Sequence, residues 1–239
     1  MLELEQVNAY RGTAHIVRGV SLAVRDGEAV CLVGRNGAGK TTTMESIMGL
    51  LAGRSGRITF RGRDITRLPA HRRAQLGIGY APDDCGIFPD LTVAENLEIC
   101  HWLAGGSGEG RSPAAREDTD TRIFAVFPEV RDFLQRRGLN LSGGQKKMVA
   151  IARAMALSPS ILLLDEPFEG LAPVVVNRFI DAVKKIKAMN ISLLIAESNL
   201  MTATRVADRL YAIDRGEILF HGDPRSALQN EDLMKTIRG

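Results

Sequence analysis

Short apolar runs, each closed by polar residues, alternate along the chain with stretches whose apolar positions follow a helical period. The runs at 28–33 (EAVCLV), 160–166 (SILLLDE) and 192–197 (SLLIAE) read as buried strands, apolar on both faces as parallel strands are. Strands alternating with helical segments predict an α/β fold with a largely parallel sheet. In open sheets of that kind ligands bind beyond the carboxyl ends of the strands. The three runs end in GRNGAGK, DE and ES, so the pattern alone points to one site at their tips.

Other stretches fill in the picture. The arginine-rich segment 53–73 has Ile58 and Phe60 on one side and Thr59 and Arg61 on the other, which predicts a hairpin with one wet face and not a nucleic-acid patch. Segment 104–116 (AGGSGEGRSPAAR) is poor in large apolar residues and reads as a mobile loop. Met148, Ile151, Ala152 and Met155 fall at helical spacing and should face the core. No repeat with a 20-to-50-residue period is visible, which excludes a solenoid.

Composition adds bounds. The chain has 239 residues, 45% apolar and 25% charged, enough for a sizeable core in one or two domains of ordinary soluble character. A net charge of +3 implies neither nucleic acid nor lipid as a partner. Cys31, Cys85 and Cys100 lack CxxC spacing and read as reduced thiols; the four histidines are scattered too, against a zinc site. MLELEQVNAY carries no basic segment followed by an apolar one, so no secretory signal is expected. No apolar run approaches the ~18 residues a membrane span needs, so any transport role calls for another subunit.

Three motifs carry chemistry. Residues 34–41, GRNGAGKT, fit GxxxxGK[ST] between a strand and a helical pattern. Glycines let the backbone wrap phosphates, N–H groups and the helix dipole point at them, Lys40 reaches β and γ oxygens, and the Thr41 hydroxyl takes a Mg²⁺ position. ILLLDEP at 161–167 ends a strand in Asp165, which would enter the magnesium shell, and Glu166, which would polarise the attacking water as general base. LSGGQ at 141–145 opens a helix capped by Ser142 on a glycine pair, a second cradle with backbone N–H groups free for an anion. One chain of this size has little room to bring both cradles to one nucleotide, whereas a head-to-tail pair of chains would sandwich two nucleotides between them.

With GRNGAGKTT as Walker A, LSGGQ as signature and ILLLDE as Walker B, the chain resembles the ATP-binding cassette family over nearly its whole length. That resemblance implies a P-loop NTPase cassette: a mixed, mostly parallel sheet core with an antiparallel β subdomain and an inserted helical subdomain. A single domain would span 1–239, with the catalytic core at 1–90 and 159–239 and the signature-bearing helices at 91–158. It implies ATP and Mg²⁺ as cofactors. Gly34, Asn36, Gly37, Ala38, Gly39, Lys40, Thr41 and Thr42 would surround the phosphates, and Ser142, Gly143, Gly144 and Gln145 would reach the partner's nucleotide. Tyr10 would stack on adenine or serve only as a hairpin tyrosine. Thr41 and Asp165 would hold Mg²⁺, with Asp83 as a further candidate, and Glu166, Lys40, Ser198 and Asp83 would make up the catalytic set.

Finer features resemble the branched-chain amino-acid importer cassettes. Ala172 stands where most cassettes have aspartate, Asp83 where most have the Q-loop glutamine, and Ser198 at the position of the switch histidine. Serine is shorter and carries no cation, so its contact with a γ-phosphate would run through water, and Asp83 would add negative charge near the site. About fifteen residues follow LYAIDRGEILFHGDP, too few for a regulatory domain. The implied partners are a second cassette, identical or paralogous, integral permease subunits and, indirectly, a periplasmic or extracellular solute-binding protein, with no nucleic acid. The chain would sit on the cytoplasmic face of the membrane. A nucleotide-dependent clamp with weak hydrolysis is the alternative reading; a cassette acting on DNA or ribosomes would need tandem cassettes or a coiled-coil insertion.

Overall fold

Burial alternates along β1 (Leu2–Arg11), where Leu2, Leu4, Val7 and Ala9 point inward, and the strand pairs antiparallel with β2 (Ala14–Val24). The structure, a computed structural model, describes residues 1–104 and 112–238. On its other edge β1 pairs with β4 (Arg54–Phe60), and β5 (Arg63–Asp64) closes the hairpin expected there, giving the order β2-β1-β4-β5. Ile58 and Phe60 face the core and Arg61 is exposed, as the pattern implies. Thr59 departs from it: the residue is only 8% exposed, because Glu3 and Asp64 flank it in register on the two neighbouring strands.

The second sheet carries the site. Its order is β10-β9-β3-β8-β7-β6, from β3 (Ala29–Val33), β6 (Ile78–Ala81), β7 (Ile161–Asp165), β8 (Ser192–Glu197), β9 (Arg209–Asp214) and β10 (Glu217–Gly222). Every pairing is parallel except β10 with β9. The apolar runs lack alternation because both faces are covered. Val30, Leu32, Ile161, Leu163 and Leu194 join the cluster that holds the first sheet and Met44 and Ile47 of α1 (Lys40–Met48). Cys31, Val33, Leu162, Leu164, Leu193 and Ile195 join the cluster of α5 (Gly143–Ala156) and α6 (Pro173–Ala188), where Met148, Ile151, Ala152 and Met155 are buried as expected. The register sets Val33 beside Glu197 and Asp165 beside Ala196, so the ends of β3, β8 and β7 lie side by side.

Between β6 and β7 the chain forms α2's successors α3 (Val93–Ala104), α4 (Pro113–Val126) and α5, with two 3₁₀ turns at Pro128–Phe133 and Gly138–Asn140; α2 itself (Ala70–Gln75) precedes β6. The loop expected over 104–116 does not hold at its described ends, which are helical. Ala104 ends α3, residues 105–111 lie outside the described residues, and α4 begins at Pro113. The reason is local: the Ser112 side chain accepts the Ala115 N–H as N-cap, proline sits in the first turn, and two alanines follow. All three cysteines are free and buried.

Candidate functional site

The loop after β3 is shaped by what surrounds it. A Cβ at Gly34 would lie 2.2 Å from the Ile213 carbonyl oxygen of β9, so no side chain fits there. Gly39 has φ of 110°, a left-handed value that turns the chain into α1. That helix starts with no side-chain cap, and its first intrahelical N–H bond is Thr43 to the Gly39 carbonyl at 2.9 Å. The N–H groups of Lys40, Thr41 and Thr42 precede that bond and face the loop mouth, an anion site by construction.

A cleft of about 460 Å³ opens over this loop. Its walls are Asn36, Gly37, Gly39, Lys40, Thr41 and Thr42 of the loop, Glu166 and Glu169 beyond β7, Asp83 beyond β6, and Arg11 and Ile16 of the first hairpin. A larger cavity of about 710 Å³ lies at the opposite ends of β6, β7 and β8, around Gly77, Ser160 and Ile191, and touches none of the motif residues.

Lys40 is 5% exposed and its three donors are all engaged: Gly34 O at 2.6 Å, Arg35 O at 3.0 Å and Glu166 Oε1 at 2.9 Å. Glu166 adopts a left-handed φ of 47°, rare for a non-glycine residue and concentrated at functional positions. Its N–H donates to Ala196 O at 3.0 Å, its carbonyl accepts from Lys147 Nζ, and its Oε2 accepts the Ser198 N–H at 3.1 Å. Beside it, Asp165 accepts from the Thr41 hydroxyl at 3.2 Å and the Tyr80 hydroxyl at 3.3 Å. Burial pushes the Asp165 carboxyl up to about 6, with the Glu166 charge adding to the shift and the Thr41 and Tyr80 hydroxyls opposing it. A buried carboxylate held up in this way, next to a threonine hydroxyl, is a hard-oxygen pair that fits Mg²⁺. Among the described residues no group of three or more His, Cys, Asp or Glu side chains could hold a metal ion, so phosphate oxygens and water would have to complete the shell of the Thr41–Asp165 pair.

The signature helix is built otherwise. Ser142 Oγ accepts the Gln145 N–H at 3.3 Å while Gln145 Oε1 accepts the Ser142 N–H at 3.0 Å, a closed capping box. The serine cap expected here therefore engages the Gln145 N–H, which leaves those of Gly143 and Gly144 ahead of the first intrahelical bond, Lys146 N–H to Ser142 O. None of Ser142, Gly143, Gly144 or Gln145 lines the cleft.

Other expected residues divide. Asp83 does line the cleft, but Lys147 Nζ lies 3.6 Å from its carboxylate and offsets the extra charge. Tyr10 is half-exposed outside the cleft wall and stacks on His15, ring centroids 4.4 Å apart. Ser198 approaches through its backbone; among the described residues its hydroxyl reaches only Glu197 Oε1, at 3.4 Å. Sequence reasoning missed Arg11, whose Nε donates to the Thr42 hydroxyl at 3.3 Å, and Tyr80. It also passed over Glu197, 2% exposed at the tip of β8, although SLLIAE ends on an acid as ILLLDE does. Burial raises the Glu197 carboxyl to about 7, with Glu166 adding to the rise and the Asn199 and Ser198 N–H groups and Lys40 opposing it.

The ABC transporter family profile matches residues 17–169, from β2 through GRNGAGKT, LSGGQ and the Asp165–Glu166 pair. The chain belongs to the ABC transporter family. It is an ATPase cassette, and ATP is its nucleotide. Over 231 residues it is 36% identical to the lipopolysaccharide export system ATP-binding protein LptB of Escherichia coli K12, covering 97% of this chain and 93% of LptB. It is 33% identical to the "Probable branched-chain amino acid transport ATP-binding protein LivF" of Archaeoglobus fulgidus, covering 100% of this chain and 99% of LivF. Among solved structures, a nucleotide-free ATP-binding cassette from an ABC transporter superposes with a TM-score of 0.82 at 28% identity, covering 100% of this chain and 99% of that one. The cassette MJ1267 in its ADP conformation gives 0.80 at 27%, covering 100% and 98%. No helix among the described residues is long and apolar enough to cross a membrane.

Proposed function

We propose that this cassette powers import of branched-chain amino acids or a related small polar solute, through separate permease subunits on whose cytoplasmic side it docks. The observation that carries the reading is Gly170–Leu171–Ala172–Pro173, the D-loop form that resembles branched-chain importer cassettes, in a chain that LivF of Archaeoglobus fulgidus matches end to end. A solute-binding protein would deliver the substrate on the far side of the membrane. The 36% identity to LptB favours a second reading, service of an export system.

In either case the chemistry is built from the same residues. The free N–H groups of the P-loop and Lys40 bind the β and γ phosphates, and Glu166 accepts the proton of the attacking water. Mg²⁺, held by Thr41 and Asp165, would neutralise charge developing on the phosphates, with Asp83 a further candidate at the cleft wall. Tyr10 offers its ring to adenine. Ser142, Gly143, Gly144 and Gln145 line no part of their own cleft, so they cover the nucleotide of a second cassette, a copy or a paralogue, in a head-to-tail dimer that closes on ATP and reopens after hydrolysis.

Mg²⁺-ATP hydrolysis against protein concentration, with Glu166→Gln as background, tests this. Specific activity that rises with concentration and vanishes in the variant supports the dimeric ATPase; no activity above background in the cassette and in its permease complex supports the clamp. Stimulation of the complex by a binding protein loaded with a branched-chain amino acid supports import, and stimulation only by a lipopolysaccharide-type lipid supports export.

A further inference from the structure

Two carboxylates meet on one N–H. Ser198 donates its backbone N–H to Glu197 Oε1 at 2.9 Å and to Glu166 Oε2 at 3.1 Å. Glu197 Oε1 also accepts the Asn199 N–H at 2.9 Å. The other Glu197 oxygen, Oε2, is buried with no hydrogen-bond partner among the described residues. A buried acceptor left without a partner destabilises the fold, and a carboxylate placed next to another adds repulsion. A fold carries such a group where its other oxygen does something a cheaper residue does not.

Here that oxygen pins the chain as it leaves β8. Two successive N–H groups converge on it, and the Glu197 carbonyl accepts the Gly34 N–H at 3.2 Å, so the same residue ties the switch turn to the first residue of the P-loop. Glu166 is consequently held at both oxygens, Oε1 by Lys40 and Oε2 by Ser198 N–H. When Lys40 turns to a phosphate, the Ser198 N–H is the hold that remains.

We infer that Glu197 is a positioning residue for hydrolysis: it aims the Ser198 N–H at Glu166 Oε2 and so keeps Glu166 oriented while Lys40 serves the nucleotide. The inference rests on Glu166 being the general base. It also accounts for a serine at 198, because the backbone and not the side chain does the holding.

The test compares kcat, KM and the binding of a non-hydrolysable ATP analogue in the full chain and in Glu197→Ala, Glu197→Gln and Glu166→Gln. Glu197→Ala should lower kcat about tenfold or more, as a misplaced catalytic group does, with KM and analogue affinity within about twofold. Glu197→Gln keeps an oxygen that accepts the same two N–H groups and should return kcat to within about threefold of the parent chain. Should the alanine variant fail to fold, Glu197→Asp, which retains the charge on a shorter arm, should show the same kcat loss at unchanged KM. Unchanged kcat in Glu197→Ala or, where that variant does not fold, in Glu197→Asp overturns the inference. So does a kcat loss that tracks lost analogue binding and is not restored by glutamine. Parent-level turnover in Glu166→Gln instead overturns the assignment of the base.

Discussion

The P-loop and the signature are both helix starts built on glycine, and the chain completes only one of them. At α1 no side chain caps the first turn, its N–H groups open onto a cleft, and Lys40, Thr41, Asp165 and Glu166 surround that opening. At α5 the Ser142–Gln145 box closes on itself, the glycine pair lines no cleft, and Ser142 and Gly143 are exposed. The difference teaches that an uncapped helix end backed by charge binds phosphate alone, whereas a capped, exposed one contributes to binding only against another surface.

The largest expected effect separates the two cradles. Lys40→Met should weaken ATP binding to dilute cassette by about 100-fold, the loss of charge-assisted bonds to phosphate worth roughly 3 kcal/mol. Ser142→Ala should leave that affinity within about twofold yet cut turnover about tenfold at high protein concentration, since it loosens the second cradle. Fluorescent-nucleotide titration and phosphate release read the two quantities; equal losses of dilute affinity in both variants would break the comparison.

A second test concerns support at the far end of α1. Arg73 is fully buried and caps that end, its Nη1 donating to Ser46 O at 3.0 Å and Ile47 O at 2.6 Å. Its Nη2 donates to Thr66 O at 2.9 Å and its Nε to Leu68 O at 2.8 Å. Burial lowers its pKa to about 10, which leaves it charged at neutral pH. Arg73→Leu takes the donor from Ile47 O and Leu68 O, whereas Ser46 O keeps the Gly49 N–H and Thr66 O keeps Arg54; the loss of about 3 kcal/mol should show in thermal denaturation as a Tm lower by roughly 6–12 °C. A Tm within two degrees of the parent would mean that packing alone holds α1.

The smallest effect sharpens the site itself. Ser198→Ala should change turnover by less than about threefold, because the backbone N–H that holds Glu166 survives, while Glu166→Gln should cost about 100-fold through loss of the base. The same loss in both variants would refute this ranking.

Much of the site was legible because its motifs are short-range. GRNGAGKT, ILLLDE and LSGGQ each specify a strand end, turn or helix start within a few residues, and the strands appeared where uninterrupted apolar runs required two covered faces. Arg73 was not legible. It sits in a basic stretch that reads as solvated, and only the docking of α2 against the end of α1 turns it inward. The start of α4 was written in Ser112, Pro113 and two alanines but hidden by the glycine-rich composition around it.

The sequence by itself determined the family, the nucleotide chemistry and the helix caps, because propensity, capping and phosphate loops are encoded by neighbours along the chain. Only the tertiary structure decided that Lys40, Glu166, Ser198 and Glu197 share one buried set of hydrogen bonds and charges. Lys40, Glu166 and the adjacent pair Glu197–Ser198 stand far apart in sequence and meet because β8 packs between β3 and β7, an order set by long-range burial of both sheet faces.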